Sequence, residues 1–246
     1  MRIDIWSDIV CPFCYVGKRN LEQALAEFEH RDEVEVVWHS FELDPSATEH
    51  PAGSLPEMIA GKYQMSLEQA IASQESLAER AREVGLDFNW RQARYGNTFD
   101  AHRVIHYAAE QGLASAAQEA FKLAYFTQGR SVQEHESILD IASEIGLDTA
   151  EVEAVLKSDR YAADVRADEQ LARQLGINGV PFFLIESKWA VSGAQPAKML
   201  VQALRQVWDE THRVEFLNPL AGAAGDAAGN NAAEAGPSCD MNGNCS

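Results

Sequence analysis

The hydrophobic pattern changes period several times along the chain. Ile3 to Ile9 reads as a short strand, and after it Leu21, Ala24, Leu25 and Phe28 fall at i, i+3, i+4 and i+7, one face of an amphipathic helix. Pro12 suits the first turn of that helix, where its missing N–H costs nothing. From Glu33 to Phe41 the period returns to two, with Val34, Val36 and Trp38 alternating with Glu33, Glu35 and His39. The opening is therefore strand, helix, strand, with Cys11-Pro12-Phe13-Cys14 at the first junction.

From about Pro45 to Ser158 the period is helical. Ser66-Leu67-Glu68-Gln69 is a capping box, and the helix it opens should stop at Gly85. The same stop, Gly-Leu-Asp, recurs at Gly146, and both glycines suit the left-handed position just past a helix. Between them further helices are expected, one opening near Asp100 and one ending at Gly129. Near Tyr161 a helix runs to Leu175 and stops at Gly176. An apolar strand entered by Val180-Pro181 follows, then a short strand from Trp189 to Val191 and a last helix from about Pro196 to Trp208. Beyond Asn218 the pattern is lost: 12 of the 16 residues from Ala221 to Gly236 are Ala or Gly, a composition that reads as a flexible linker without a core of its own.

Composition narrows the function. The 246 residues carry 38 acidic against 20 basic side chains, a net charge of −18, which disfavours nucleic acid and anionic membranes as partners. No apolar run of ~18 residues is present to span a bilayer. The N-terminus has no apolar signal core, so a cytoplasmic location is expected. The four cysteines form two close pairs, Cys11/Cys14 and Cys239/Cys245. In such a setting paired cysteines are more often catalytic, redox-sensing or metal-binding than structural.

A thiol attacks as its thiolate, and a helix N-terminus offers free N–H groups and a partial positive charge that favour the anion. Cys11, just ahead of the helix, is the expected nucleophile, with a pKa below that of a free thiol. Cys14, one turn in, is placed to resolve a mixed disulfide. Half of a zinc site or two inert thiols are the alternatives, and the strand–motif–helix context favours redox chemistry.

With these residues in hand, the chain resembles the DsbA-like thioredoxin superfamily, and within it the cytoplasmic FrnE-type branch. The resemblance is carried by Ser7 to Gly17, Phe41-Glu42-Leu43, Asn97 to Arg103, Ala124-Tyr125-Phe126 and Gly179 to Phe183. It implies an α/β fold: a thioredoxin fold with an inserted all-helical domain and a flexible C-terminal tail. The expected parts are 1–44 and 159–217 for the thioredoxin-like halves, 45–158 for the insertion and 218–246 for the tail. It implies a cis Val180-Pro181 bond with Pro181 facing the dithiol, and a substrate surface of Pro12, Phe13 and Val180. Asn97, Thr98, Asp100 and His102 should lie near the dithiol as binding residues. Helix capping, with Asp100 as N-cap, is the other reading of three of them. His39 is expected to be a strand residue facing solvent or the insertion, and the His102/His106 pair is not expected to hold a metal.

The expected activity is thiol–disulfide oxidoreduction or isomerisation on protein thiols and disulfides, with no cofactor beyond the redox-active disulfide and with glutathione as a further candidate partner. The same superfamily includes 2-hydroxychromene-2-carboxylate isomerases and kappa-class glutathione transferases, which resemble this chain in layout but usually carry Ser where Cys11 stands. A glutathione-linked isomerase or transferase for a small aromatic molecule is therefore the alternative, and a binding protein with a sensor dithiol a third. Cys239 and Cys245 are expected to form a second redox pair that exchanges with the first. Idle thiols, or a metal hook with Asp240, are the other readings of that tail.

Overall fold

The computed structural model describes residues 1–48 and 53–212. Residues Met1–Trp208 form one compact unit, and a second begins at Asp209. The linker, Cys239 and Cys245 lie outside the described residues.

Four strands make one mixed sheet in the order β2-β1-β3-β4: β1 (Arg2–Ser7), β2 (Glu35–Ser40), β3 (Phe182–Ile185) and β4 (Trp189–Ser192). β1 runs parallel to β2, with Ile5 opposite Trp38 and Trp6 opposite His39. It runs antiparallel to β3, with Ile5 opposite Phe183. Alternation along β1 sends Ile3 and Ile5 to one face, and Asp4 and Trp6 to the other. On the first face Ile3, Ile5, Phe183 and Ile185 pack with Leu21, Ala24 and Phe28 of α1 (Pro12–Glu27) and with Leu200, Val201 and Leu204 of α9 (Ala197–Thr211). On the second, Trp6 packs with Ala172 of α8 (Ala162–Gln174), Ile177, Phe182 and Leu184. The apolar stripe expected on the first helix is thus the one that covers the sheet.

Between β2 and α8 the chain is helical: α2 (Leu55–Tyr63), α3 (Leu67–Glu83), α4 (Phe99–Glu110), α5 (Ala114–Phe126), α6 (His135–Glu144) and α7 (Thr149–Leu156). Their core, built on Val104, Phe121, Tyr125, Ile138, Ile141 and Val152, is continuous with Ile9 and Tyr15 at the start of α1. Glu119 of α5 ties this block to α1, accepting from Tyr15 Oη at 2.6 Å, Lys18 Nζ at 2.7 Å and Arg19 Nη1 at 2.9 Å. The Ser66 capping box forms, with Gln69 N donating to Ser66 Oγ and Ser66 N to Gln69 Oε1. Gly85 and Gly146 take φ of +77° and +83°, left-handed values that an L side chain rarely adopts, which is why both helices stop there.

Two strands differ from expectation at their ends. β1 stops at Ser7 because Asp8 turns the chain, its carboxylate accepting from Ile9 N and Leu43 N. β2 begins at Glu35, since Arg31–Glu33 forms a 3₁₀ turn.

Candidate active site

Cys11 is the N-cap of α1, in extended backbone, with Pro12 directly behind it in the first turn. Its carbonyl accepts from Cys14 N at 3.1 Å and Tyr15 N at 3.3 Å, so the helix starts on the motif and sets Cys14 one turn in. The two thiols are not bonded to each other. Both are buried, Cys11 at 3% and Cys14 at 1% exposure, whereas Phe13 between them is 43% exposed. The expected nucleophile is therefore not an open thiol: the Val180 segment covers Cys11, whose Sγ stands 3.6 Å from Val180 O. The Val180-Pro181 bond is cis. Pro181 seats against Gly17 of α1, where an added Cβ would stand 2.9 Å from Pro181 Cγ. Gly17 thus lets the proline segment approach the dithiol.

The thiols titrate as a pair that shares a proton. The hydrogen bond to Cys14, burial and the Asp8 charge push Cys11 up. Burial opposes ionisation of Cys14 as well, but the hydrogen bond from Cys11, the Lys122 charge and Ser7 outweigh it and bring Cys14 down. The expected lowering at Cys11 therefore falls on its partner. The helix N-terminus acts on both sulfurs, and the side chains around Cys14 decide between them.

Beside Cys11 opens a pocket of about 590 Å³. Cys11, Pro12, Phe13, Gly179 and Val180 form one wall, and Cys14 does not reach it. Tyr95, Tyr125 and Phe126 also line it, with Met58 and Ile59 of α2, Leu77 of α3, and the cations Lys62 and Arg80. The pocket is mostly apolar and open to a substrate that can present a sulfur to Cys11.

The Asn97–His102 stretch divides. His102 is buried and its Nε2 meets Asp8 Oδ1 at 3.2 Å. Burial opposes ionisation of Asp8, but hydrogen bonds from His102, Leu43 N and Thr98 hold its carboxyl below the usual range. His102 and Thr98 thus act on the carboxylate that precedes the dithiol. Asp100 is not the N-cap: Thr98 holds that position, and Asp100 Oδ1 and Oδ2 accept from Arg103 and pair with His135, each at 2.7 Å. Asn97 Oδ1 accepts from Phe99 N at 2.9 Å and closes the turn. None of the four lines the pocket. His102 and His106 turn to different partners, His106 Nε2 standing 3.1 Å from Asp168 Oδ2.

His39 also departs from expectation. It is half-buried, stacked on Trp6 with centroids 4.5 Å apart, with Nδ1 2.7 Å from Asp168 Oδ1 and Nε2 2.8 Å from Asp4 Oδ1. Strand alternation puts His39 on the same face as Asp4 and Trp6, toward α8, a pairing that the β2 pattern alone does not reveal.

Two residues near the dithiol were not singled out from sequence, Asp8 and Lys122. For Lys122 a signal existed. Gln118, Phe121, Lys122 and Tyr125 fall at i, i+3, i+4 and i+7, so a lysine lies on the apolar stripe of α5, and it is fully buried.

A DSBA-like thioredoxin domain model matches residues 2–205. The chain belongs to the DSBA-like thioredoxin family. It is similar to the crystal structure of a probable DsbA oxidoreductase, SCO1869 of Streptomyces coelicolor, with 42% identity, 100% of this chain and 98% of that one covered, and a TM-score of 0.83. It is also similar to the uncharacterized protein YwbO of Bacillus subtilis strain 168, 28% identical over 75% of this chain and 86% of that protein. A 2-hydroxychromene-2-carboxylate isomerase shares the fold at 16% identity, with 86% of this chain and 98% of that one covered and a TM-score of 0.66. Family membership supports thiol–disulfide oxidoreductase chemistry in general. Among the described residues no helix is long and apolar enough to cross a membrane.

Proposed function

We propose that this chain is a cytoplasmic thiol–disulfide oxidoreductase or isomerase that uses Cys11-Pro12-Phe13-Cys14 on protein substrates. The observation that carries the reading is the placement of Cys11 at the pocket wall, its Sγ 3.6 Å from the Val180 carbonyl oxygen, with Cys14 sharing its proton. Electrostatics favour the charge on Cys14, and access favours Cys11 as attacker. The shared hydrogen bond reconciles them, because one proton shift to Cys14 leaves the thiolate on Cys11.

The Cys11 thiolate attacks one sulfur of a substrate disulfide. That S–S bond breaks, a Cys11–substrate disulfide forms, and the departing thiolate takes a proton. Cys14 then loses its proton and attacks Cys11 Sγ, which closes the Cys11–Cys14 disulfide and releases the second substrate thiol. The substrate gains two electrons and the dithiol loses them; run backwards, the same steps oxidise a substrate dithiol. Gly179 and Val180 offer backbone to an extended chain, in the manner of strand addition, and the apolar pocket takes its side chains. Glutathione is a further thiol partner.

In a dithiothreitol-driven insulin-reduction assay the protein is expected to turn over, and Cys11→Ser to lose that turnover. A second reading, a glutathione-linked isomerase or transferase for a small aromatic molecule, draws on the aromatic lining with Lys62 and Arg80 beside it. Glutathione binding without insulin reduction would favour it. The reading extends to a relay from Cys239/Cys245, which lie outside the described residues. Truncation after Leu220 is expected to slow turnover, and full turnover in the truncated protein would remove the relay.

A further inference from the structure

Lys122 is fully buried on α5. Its ammonium donates to Gln118 Oε1, an amide on the same helix, and stands over the Trp38 ring of β2 at 5.8 Å. Among the described residues no carboxylate lies within ion-pair distance of it. Lys18, the buried lysine of α1, differs in this: Glu22 and Glu119 both pair with it. A buried ammonium with only a neutral amide partner is costly, and natural structures keep one where a counter-charge is available. The charges facing Lys122 are Cys14, Asp8 and Cys11 from the β1–α1 junction, and the like charge of Lys18 from α1. Asp8 is already engaged by His102, Leu43 N and Ile9 N. The remaining negative group is the thiolate.

We propose that Lys122 is the counter-charge of the dithiol: a positioning residue, held by α5, that stabilises the thiolate of the reduced state and loses its partner when the disulfide forms. The inference rests on the dithiol reading of the site. Burial lowers Lys122 to about 8, with the Cys14 charge working the other way, so the ammonium is within reach of deprotonation once the thiolate is gone. In the reduced state the site holds S⁻, SH and NH₃⁺. Reaction with a substrate disulfide leaves S–S and NH₂ and releases two neutral thiols. Two electrons pass to the substrate, and the two protons come from the thiol and from the ammonium.

The test is a pH titration of ultraviolet thiolate absorbance on the purified, reduced full-length protein, with the dithiol–glutathione equilibrium measured alongside. Lys122→Met keeps the length and apolar stem and removes the charge. It is expected to raise the first thiol pKa by about one to three units and to shift the equilibrium toward the disulfide by tenfold or more. Gln118→Glu leaves the lysine in place but gives it a permanent partner, and it should move both readouts in the same direction. The disulfide form of Lys122→Met should unfold at equal or higher denaturant than wild type, since the buried amine it replaces has no counter-charge in that form. If both variants titrate as wild type, or if only their stability changes, the counter-charge role is overturned. Neither readout uses a substrate protein, so failure of insulin reduction would overturn the protein-substrate reading and leave this one standing.

Discussion

Two buried polar clusters in this molecule meet their electrostatic needs in opposite ways. Around His39 every demand is met. Both ring nitrogens face carboxylates, and Asp168 also takes Ser40 N at 2.8 Å, approaches His106, and receives Trp6 Nε1 on its backbone carbonyl. Around the dithiol, Lys122 has only a neutral amide among the described residues, and two thiols share a proton. A satisfied buried network fixes one conformation, because removing any member leaves the others unpaired at a cost of about 1–3 kcal/mol each, more for a charge. An under-satisfied cluster holds charge that a reaction can consume. The first cluster joins β1, β2, α4 and α8, and the second reaches the pocket through Cys11. The difference separates a structural polar core from a chemical one.

That contrast can be broken most sharply at the dithiol itself. Cys11→Ser is expected to reduce disulfide exchange to background while the fold persists, and Cys14→Ser to accumulate a Cys11–substrate mixed disulfide. Turnover and gel-trapped adducts report both, and residual turnover in Cys11→Ser would place the chemistry elsewhere.

The next effect lies in the other cluster. Asp168→Asn should destabilise the protein by about 3 kcal/mol, because it strands His39 and His106 beside a neutral amide, while the thiolate titration stays as in wild type. Urea unfolding checks the first half and thiolate absorbance the second. Lys122→Met is the mirror image, moving the titration and sparing the stability of the disulfide form, so the pair tests whether the two clusters are separable.

The pH dependence of stability should carry the same signature. Burial works against the charge on Asp168, but His106 and His39 outweigh it and hold the carboxyl at about 2. Its contribution, about 2 kcal/mol, is present above the ordinary carboxylate range near pH ~4 and is lost as pH falls toward 2. His39 is raised above its ordinary value: burial opposes its charge, and Asp168 and Asp4 overcome that. Its contribution is present below pH ~6.5 and is lost as pH rises through the folded value. These are two ends of one interaction, counted once. Unfolding midpoints should therefore peak between pH ~4 and ~6.5, and the peak should flatten in Asp168→Asn. An unchanged profile in that variant would detach the pH dependence from this cluster.

The smallest effect concerns the seam between the motif helix and the proline segment. Gly17→Ala places a Cβ 2.9 Å from Pro181 Cγ, so the Val180 segment must shift off Cys11. A loss of about 1–2 kcal/mol and slower exchange are expected, seen in unfolding curves and in single-turnover kinetics. Full activity with unchanged stability would mean that the close approach is dispensable.

Much of this was legible in the chain itself. The period-two and period-3.6 stretches, the Ser66 capping box and the glycine stops are local features, governed by backbone sterics and nearest-neighbour hydrogen bonds, and they set the order of elements and the position of Cys11-Pro12-Phe13-Cys14 at the start of a helix. The family likeness in Ser7–Gly17 and Gly179–Phe183 added which two distant segments would meet. What the sequence could not determine is which buried polar groups face one another. Asp168 lies 129 positions from His39, and Lys122 reaches the dithiol only because α5 packs beside α1. The charge of the thiol pair moved from Cys11 to Cys14 for the same reason: a helix N-terminus is a local property, legible along the chain, whereas the cation, the hydroxyl and the low-dielectric surroundings that decide between two sulfurs arrive from other elements and act only once the fold has closed.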